Sequence, residues 1–287
     1  MIPCDLCGSE NPREILHSPD LDGPLVQCRN CGFRYVGHRH SHLTFGTSAD
    51  DNAAIVQRVQ AANTQFQNLR LEEEHRLALL NARWRLDLIR QFRTSGKLLE
   101  VGCARGDFLS VAREVFDVYG VEPNPDLSEA AKNFAPIHED VVETVPWRDF
   151  DVAASFHVIE HVDSPKRFVN AIAERLKPGG LLVLETPDIQ SLPFQLMKSK
   201  WRQFIPEHYF FFDRLTLSKL LRDSGFDVKR TQRIGKHASA AFLLNRLSRY
   251  IRFLGQGQNW ASRSGLSKLT IRINPFDILI AFAEKRG

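Results

Sequence analysis

Four of the five cysteines of this 287-residue chain stand within its first 31 residues, as Cys4-Asp-Leu-Cys7 and Cys28-Arg-Asn-Cys31. Two residues between thiolates let one tight turn aim both sulfurs at a single point, and two such turns complete a tetrahedron around zinc. Gly8 and Gly32 directly follow the second cysteine of each pair, where a positive φ bends the backbone around a metal. A pair of disulfides is the competing reading. The N-terminus shows no basic start followed by an apolar stretch, so a cytoplasmic location is expected, and a reducing compartment favours the metal. Four thiolates leave no open coordination position. Zinc held by Cys4, Cys7, Cys28 and Cys31 is therefore expected to be structural, supplying folding energy to a segment too short to build its own core. The run His38-Arg-His-Ser-His42 also has ligand-type side chains, but no carboxylate or cysteine stands beside it, and an exposed loop is the plainer reading.

A second constellation begins at Lys97-Leu-Leu-Glu-Val-Gly102-Cys-Ala-Arg-Gly106, which reads as a buried strand, a glycine turn and the start of a helix. Asp117-Val-Tyr-Gly-Val-Glu122 follows as a second strand ending in an acid. In a β-α-β unit, ligands sit beyond the carboxyl ends of the strands, and a carboxylate placed like Glu122 accepts the ribose hydroxyls of an adenosine. A dinucleotide fingerprint needs small residues at 102, 104 and 107; here they are Gly102, Ala104 and Asp107. The acid at 107 repels a pyrophosphate at the helix N-terminus. Glu100, just before the turn, suits instead a phosphate-free adenosyl cofactor with a cationic amino acid end, which is S-adenosylmethionine.

Residues from about 97 to 230 resemble the class I S-adenosylmethionine-dependent methyltransferases. The likeness is to the small-molecule and sugar methyltransferase-like group with an N-terminal zinc-binding segment. Leu99 to Gly106 matches the first motif, with Ala104 in place of the usual middle glycine, and Gly120-Val-Glu-Pro123 matches the second. Phe150 to His161 matches the fourth-strand motif, and Leu176 to Pro187 the turn and fifth strand. His208-Tyr-Phe-Phe-Phe212, with Leu215 to Val228 after it, resembles the substrate-side segment and the next helix. The resemblance implies a doubly wound, mostly parallel α/β sheet. It also implies cofactor contacts at Glu100, Gly102, Cys103, Ala104, Gly106, Glu122 and Pro123, at Asp140 near the adenine amino group, and at Phe156 and His157.

Methyl transfer from a sulfonium is an in-line displacement, so alignment supplies much of the acceleration. Where the acceptor is a hydroxyl or a carbon acid, a general base adds to it. His161, just beyond the fourth strand, is the first candidate and His208 the second; a hydrogen-bonded structural role for His161 is the alternative. Cys103 is a small filler of the turn, because this chemistry needs no covalent intermediate. His157-Val-Ile-Glu-His161 also spells an inverted zinc-protease motif, but it leaves a strand and lacks the helical context that motif needs.

The elements that position these groups follow from composition and pattern. Hydrophobic residues make up 43% and charged residues 25%, ordinary globular usage, and no apolar run reaches the length of a membrane-spanning helix. Residues 1–45 read as a zinc ribbon, 46–95 as a helical linker without Pro or Gly from Asp51 to Phe92, and 96–287 as the methyltransferase-like domain. Asp163 to Leu176 is an amphipathic helix with a Ser-Pro start, Pro178-Gly-Gly180 a stop, and Leu181 to Leu184 a buried strand. A basic helical insertion is expected near 236–268, with Ser239 to Leu254 amphipathic, and Pro275 to Glu284 is the closing strand, which the resemblance implies is antiparallel and in the edge region of the sheet.

Residues 191–287 hold 18 Lys and Arg against 6 Asp and Glu, which points to an anionic or lipid-linked small-molecule substrate or to peripheral membrane contact, with a solvated surface as the alternative. A zinc-ribbon RNA base methyltransferase is a further reading; the first 50 residues, with 4 Arg, no Lys and 6 acids, suit phosphate docking poorly. A non-catalytic binding module that keeps the fold is the third.

Overall fold

The computed structural model describes residues 2–38, 67–239 and 270–287. In chain order the strands are β1 (Pro12–Leu16), β2 (Leu25–Cys28), β3 (Arg34–Val36), β4 (Lys97–Val101), β5 (Asp117–Val121), β6 (Ile137–His138), β7 (Phe150–Phe156), β8 (Leu176–Pro187), β9 (Phe210–Phe211), β10 (Phe226–Ser239) and β11 (Thr270–Lys285). The helices are α1 (Gln67–Arg90), α2 (Asp107–Ala112), α3 (Pro125–Ala131), α4 (Pro165–Arg175), α5 (Leu192–Met197) and α6 (Arg214–Asp223).

Short apolar runs such as Leu98-Leu99 in β4 and Leu181 to Leu184 in β8 are covered on both faces and so pair as a buried parallel sheet. The large sheet has the order β10-β11-β8-β7-β4-β5-β6. From β8 to β6 neighbouring strands run parallel, whereas β11 runs antiparallel to both β8 and β10. The chain leaves β4 toward β5 and β6 on one side and returns to β7 and β8 on the other. That reversal opens a crevice beyond the carboxyl ends of β4 and β7, where such sheets take their ligands.

Residues 2–38 do not stand apart as a free ribbon. Their three strands form an antiparallel sheet completed by β9, with Arg34 opposite Phe211 and Tyr35 opposite Phe210. The Val36 N–H donates to the Tyr209 carbonyl at 2.9 Å. Phe33, fully buried, stacks on Phe210 at 5.8 Å and meets Phe212 at 4.9 Å, so its core is continuous with Trp201, Leu217 and the large sheet. Burial of each such side chain is worth about 1.5–3 kcal/mol, which a short segment gains here by docking.

Several boundaries shift. The closing strand is antiparallel, but it inserts between β8 and β10 rather than lying at the edge. The helix expected from Leu215 to Val228 ends at Asp223, because Gly225 turns the chain at φ +87° and Phe226 already begins β10. Leu176 to Gly180 belongs to β8, whose pairing with β7 slips between Phe150 and Val152 to absorb the Pro-Gly-Gly turn. Lys236 to Ser239, placed at the start of the basic helical insertion, is strand paired to β11. The rest of that insertion, His40 and His42, and residues 46–66 of the linker lie outside the described residues.

Candidate active site

The glycine turn after β4 is shaped by close approach. Gly102 has φ +78°, and a Cβ there would fall 2.3 Å from Cγ2 of Val158. Gly106 has φ +80° and lies against Ala131 and Phe134 of the neighbouring helix and its end, at 3.0 Å from a Cβ. Between them Ala104 takes φ +46°, a conformation that costs an alanine about 1–2 kcal/mol. Glu122 holds it there: one carboxylate oxygen accepts the Ala104 N–H at 2.9 Å and the other the Asn124 N–H at 3.0 Å. Burial raises the Glu122 carboxyl above its ordinary range although both amides stabilise the carboxylate. Pro123 follows in the turn into α3, whose N-cap is Asn124. Replacing Glu122 with Ala removes the acceptor for two inward amides. It is expected to weaken S-adenosylhomocysteine binding by about 1–3 kcal/mol, or 5- to 150-fold, as measured by calorimetry; unchanged affinity would separate this carboxylate from the cofactor.

Beneath the turn lies a cavity of about 320 Å3 whose wall includes Glu100, Gly102, Cys103, Ala104, Phe156 and His157. Glu100 is buried, and its Oε2 has no hydrogen-bond partner among the described residues. Burial pushes its carboxyl well above the ordinary range, with the Arg85 charge pulling the other way. A partnerless buried carboxylate oxygen in a cavity wall is a seat for a cation or a hydrogen-bond donor. The α-ammonium of S-adenosylmethionine supplies both. Asp107, the first residue of α2, would oppose a pyrophosphate at that place.

Helix α1 closes the cavity. Asn81 and Arg85 line it, and neither was singled out from the sequence. Arg85 lies over the Phe156 ring at 4.4 Å and donates from Nε and Nη2 to Glu185 at 2.8 and 2.5 Å. Glu185, buried in β8, also meets His157 Nε2 at 3.0 Å, and His157 Nδ1 meets Glu160 at 3.2 Å. Thr186 donates to the second oxygen of Glu160 at 2.9 Å. With a carboxylate at each ring nitrogen, His157 is a doubly donating imidazolium. Burial works against its charge, yet Glu160 and Glu185 raise its pKa to about 9. Burial likewise works against both carboxylates, which His157, and for Glu185 also Arg85, hold down at about 2.

This chain of charges has a pH signature. A raised histidine pKa contributes stability that is full below its ordinary 6.5 and is lost as pH climbs through about 9. The lowered carboxylates contribute above their ordinary 4.5 and lose it as pH falls toward about 2. Thermal melts of the wild-type protein should therefore fall between pH 6.5 and 9.5 by more than those of His157→Gln, which lacks the titrating group. Parallel curves would contradict the bridge.

His161 and His208 come together edge to face, with ring centroids 4.5 Å apart. His161 Nδ1 lies 2.9 Å from the Glu207 carbonyl and His208 Nδ1 2.7 Å from that of Gln203. A carbonyl only accepts, so each Nδ1 carries the proton and each Nε2 the lone pair. Burial lowers both pKa values, that of His208 to about 4, so both rings are neutral near pH 7. The residues from His157 to His161 form no helix, and His157 faces different partners from His161, so the inverted-protease arrangement is not made. Asp140 is exposed, its oxygens accepting from Val141 N at 2.8 Å and Thr144 Oγ1 at 3.1 Å, and, like Gly106, Glu122 and Pro123, it is not among the residues that wall the cavity.

The geometry of the cysteines is compatible with zinc. Cys4 and Cys31 sulfurs lie 3.5 Å apart, as do those of Cys7 and Cys28, and all four fall within 4.8 Å of one another. Zinc–sulfur bonds of about 2.3 Å place tetrahedral sulfurs roughly 3.8 Å apart, while a disulfide needs about 2.05 Å. Gly8 and Gly32 take φ +71° and +77°, and their N–H groups donate to the Cys4 and Cys28 carbonyls at 2.7 and 3.0 Å. Each knuckle is thus a closed turn with both sulfurs on one side.

Residues 73–231 match the protein family described as methyltransferase domain. The mitochondrial ubiquinone biosynthesis O-methyltransferase of Schizosaccharomyces pombe is 34% identical over 102 residues, covering 31% of this chain and 37% of that protein. The tRNA U34 carboxymethyltransferase of Desulfotalea psychrophila is 29% identical over 145 residues, covering 46% and 45%. The matches thus span less than half the length of these curated relatives. The crystal structure of an S-adenosylmethionine-dependent methyltransferase from Archaeoglobus fulgidus superposes with a TM-score of 0.51 at 22% identity, covering 76% of this chain and 99% of that one, a likeness of fold.

Proposed function

The chain belongs to the methyltransferase-domain family, and from that membership we propose that it transfers the methyl group of S-adenosylmethionine to a small-molecule or glycan-precursor acceptor, at oxygen or carbon. The observation that carries the cofactor assignment is the buried Oε2 of Glu100 in the cavity wall, partnerless among the described residues. When bound, the cofactor supplies an electrophilic methyl carbon with a built-in sulfide leaving group. Glu100 would accept from its amino end, Glu122, which braces the turn through the Ala104 and Asn124 amides, would take the ribose hydroxyls, and Gly102 and Gly106 would let the backbone approach. Arg85 and His157 keep the carboxylates around the cavity neutralised. His161 would receive the acceptor's proton at Nε2, with His208 packed beside it as a second neutral ring. Zinc, held by the four cysteines, has a structural role.

The small-molecule reading is favoured by the O-methyltransferase named above. An RNA substrate has the tRNA-acting relative on its side, against the acid-rich first 50 residues. Incubation with trideuteromethyl-labelled cofactor and separated metabolite and RNA fractions decides between them. Label in a small molecule is expected. Label in RNA alone would contradict the acceptor class, and bound cofactor with no label anywhere would favour the non-catalytic module.

A further inference from the structure

We propose that Asp5, lying between the first two cysteines, is a positioning residue of the reaction: its carboxylate clamps the segment that carries His161. Oδ1 of Asp5 accepts the Ser164 hydroxyl at 2.6 Å, and Oδ2 accepts the Lys166 N–H at 2.9 Å. Ser164 is the N-cap of α4, its own oxygen accepting the Arg167 N–H at 3.2 Å. The first amides of a helix have no partner within it. Here the Lys166 amide is satisfied from the metal knuckle, by a carboxylate placed where the helix dipole favours negative charge. A capping arrangement usually closed within one segment is therefore closed between two parts of the chain 159 residues apart in sequence.

The clamp grips a short lever. His161 precedes Ser164 by three residues, in a turn closed by its own N–H to the Val158 carbonyl at 2.9 Å. The other side of the histidine pair is tied to the same module. Tyr209 N–H donates to the Glu160 carbonyl at 2.9 Å while the Tyr209 carbonyl accepts from Val36, next to the strand pairing of β3 with β9. The metal-bearing sheet thus holds both segments that bring His161 and His208 together: Asp5 acts on the first and β3 on the second. A knuckle fixed by its thiolates gives Asp5 a rigid base. That base accounts for why a closed, non-reacting metal turn should abut this part of the molecule. The consequence for catalysis rests on His161 acting as the base; the clamp itself does not.

The test uses the full-length, metal-loaded protein labelled uniformly with nitrogen-15, with zinc content measured for each variant. In the wild type His161 should show one fixed tautomer with hydrogen on Nδ1, and the Lys166 amide should be protected from exchange. Asp5→Ala should average the two nitrogen resonances of His161 and speed Lys166 exchange at least about tenfold, as loss of a charge-assisted hydrogen bond implies. His208, tied through β9, should keep its tautomer. Asp5→Asn, with one acceptor left, should fall between. Should Asp5→Ala lose zinc, Ser164→Ala, outside the knuckle, should move His161 in the same direction. Unchanged His161 resonances and Lys166 exchange in a zinc-loaded Asp5→Ala, or in Ser164→Ala, would overturn the clamp. Once an acceptor is in hand the two readings separate: slow transfer by Asp5→Ala alongside normal transfer by His161→Gln leaves the clamp standing and removes the base.

Discussion

Stripping zinc with a strong chelator is expected to lower the melting temperature by more than about 10 °C and to expose Phe33, Tyr35 and Trp201 to solvent. Four-thiolate zinc contributes an apparent 10–16 kcal/mol to small domains that fold around it, and 1 kcal/mol shifts the melting point of a chain this size by roughly 2–4 °C. The first sheet has three short strands of its own and borrows a fourth from residues 210–211. Loss of the metal is therefore expected to unpair β9 and open the aromatic core that the two parts share. Tryptophan fluorescence, melting curves and metal analysis before and after chelation read this directly. One zinc per chain is expected at the start. A metal-free preparation with sulfurs joined as disulfides, or a melting point indifferent to chelation, would overturn the ribbon.

His161→Ala is expected to lower kcat by about 10²–10⁴-fold, the usual loss of a general base, with S-adenosylhomocysteine affinity nearly unchanged. Cofactor affinity separates this from damage to the glycine turn, because His161 neither walls the cavity nor bonds the turn, whereas Glu122, also outside the wall, holds the Ala104 amide. The pH profile adds a second reading. Burial keeps the His161 pKa below its ordinary 6.5, so the wild-type rate should be level above neutrality and fall only on the acid side. His208→Ala should cost less, since its ring packs against His161 and its carbonyl partner holds it turned. A His161→Ala enzyme within a few-fold of wild type would assign this residue to structure.

How far the sequence alone reached depends on whether an interaction is local. The knuckles, the glycine turn and the start of α4 at Ser164-Pro165 each rest on residues within ten positions of one another, and their spacing announces them. The parallel sheet followed from buried runs alternating with helices. What pairs across long separations was not visible. Arg85 meets Glu185 one hundred positions away, and nothing in the Arg-rich run of α1 distinguishes it from its neighbours. Glu185 left a fainter trace, a lone acid closing the apolar run Leu181 to Leu184. The strand pairing of β3 with β9 was equally hidden, because a two-residue strand has too few positions to show alternation. At Asp140 the motif position was legible, and the structure adds that its oxygens take donors from its own turn, Val141 and Thr144.

The most direct measurement is calorimetric titration of the full chain with S-adenosylhomocysteine, repeated on Gly102→Val. A Cβ at Gly102 would run into Val158 and deform the turn without altering any charge. One molecule bound per wild-type chain, with the heat abolished in Gly102→Val, is the expected pair of results. No binding by the wild type, or binding of NAD in its place, would contradict the assignment of this cavity to a phosphate-free adenosyl cofactor.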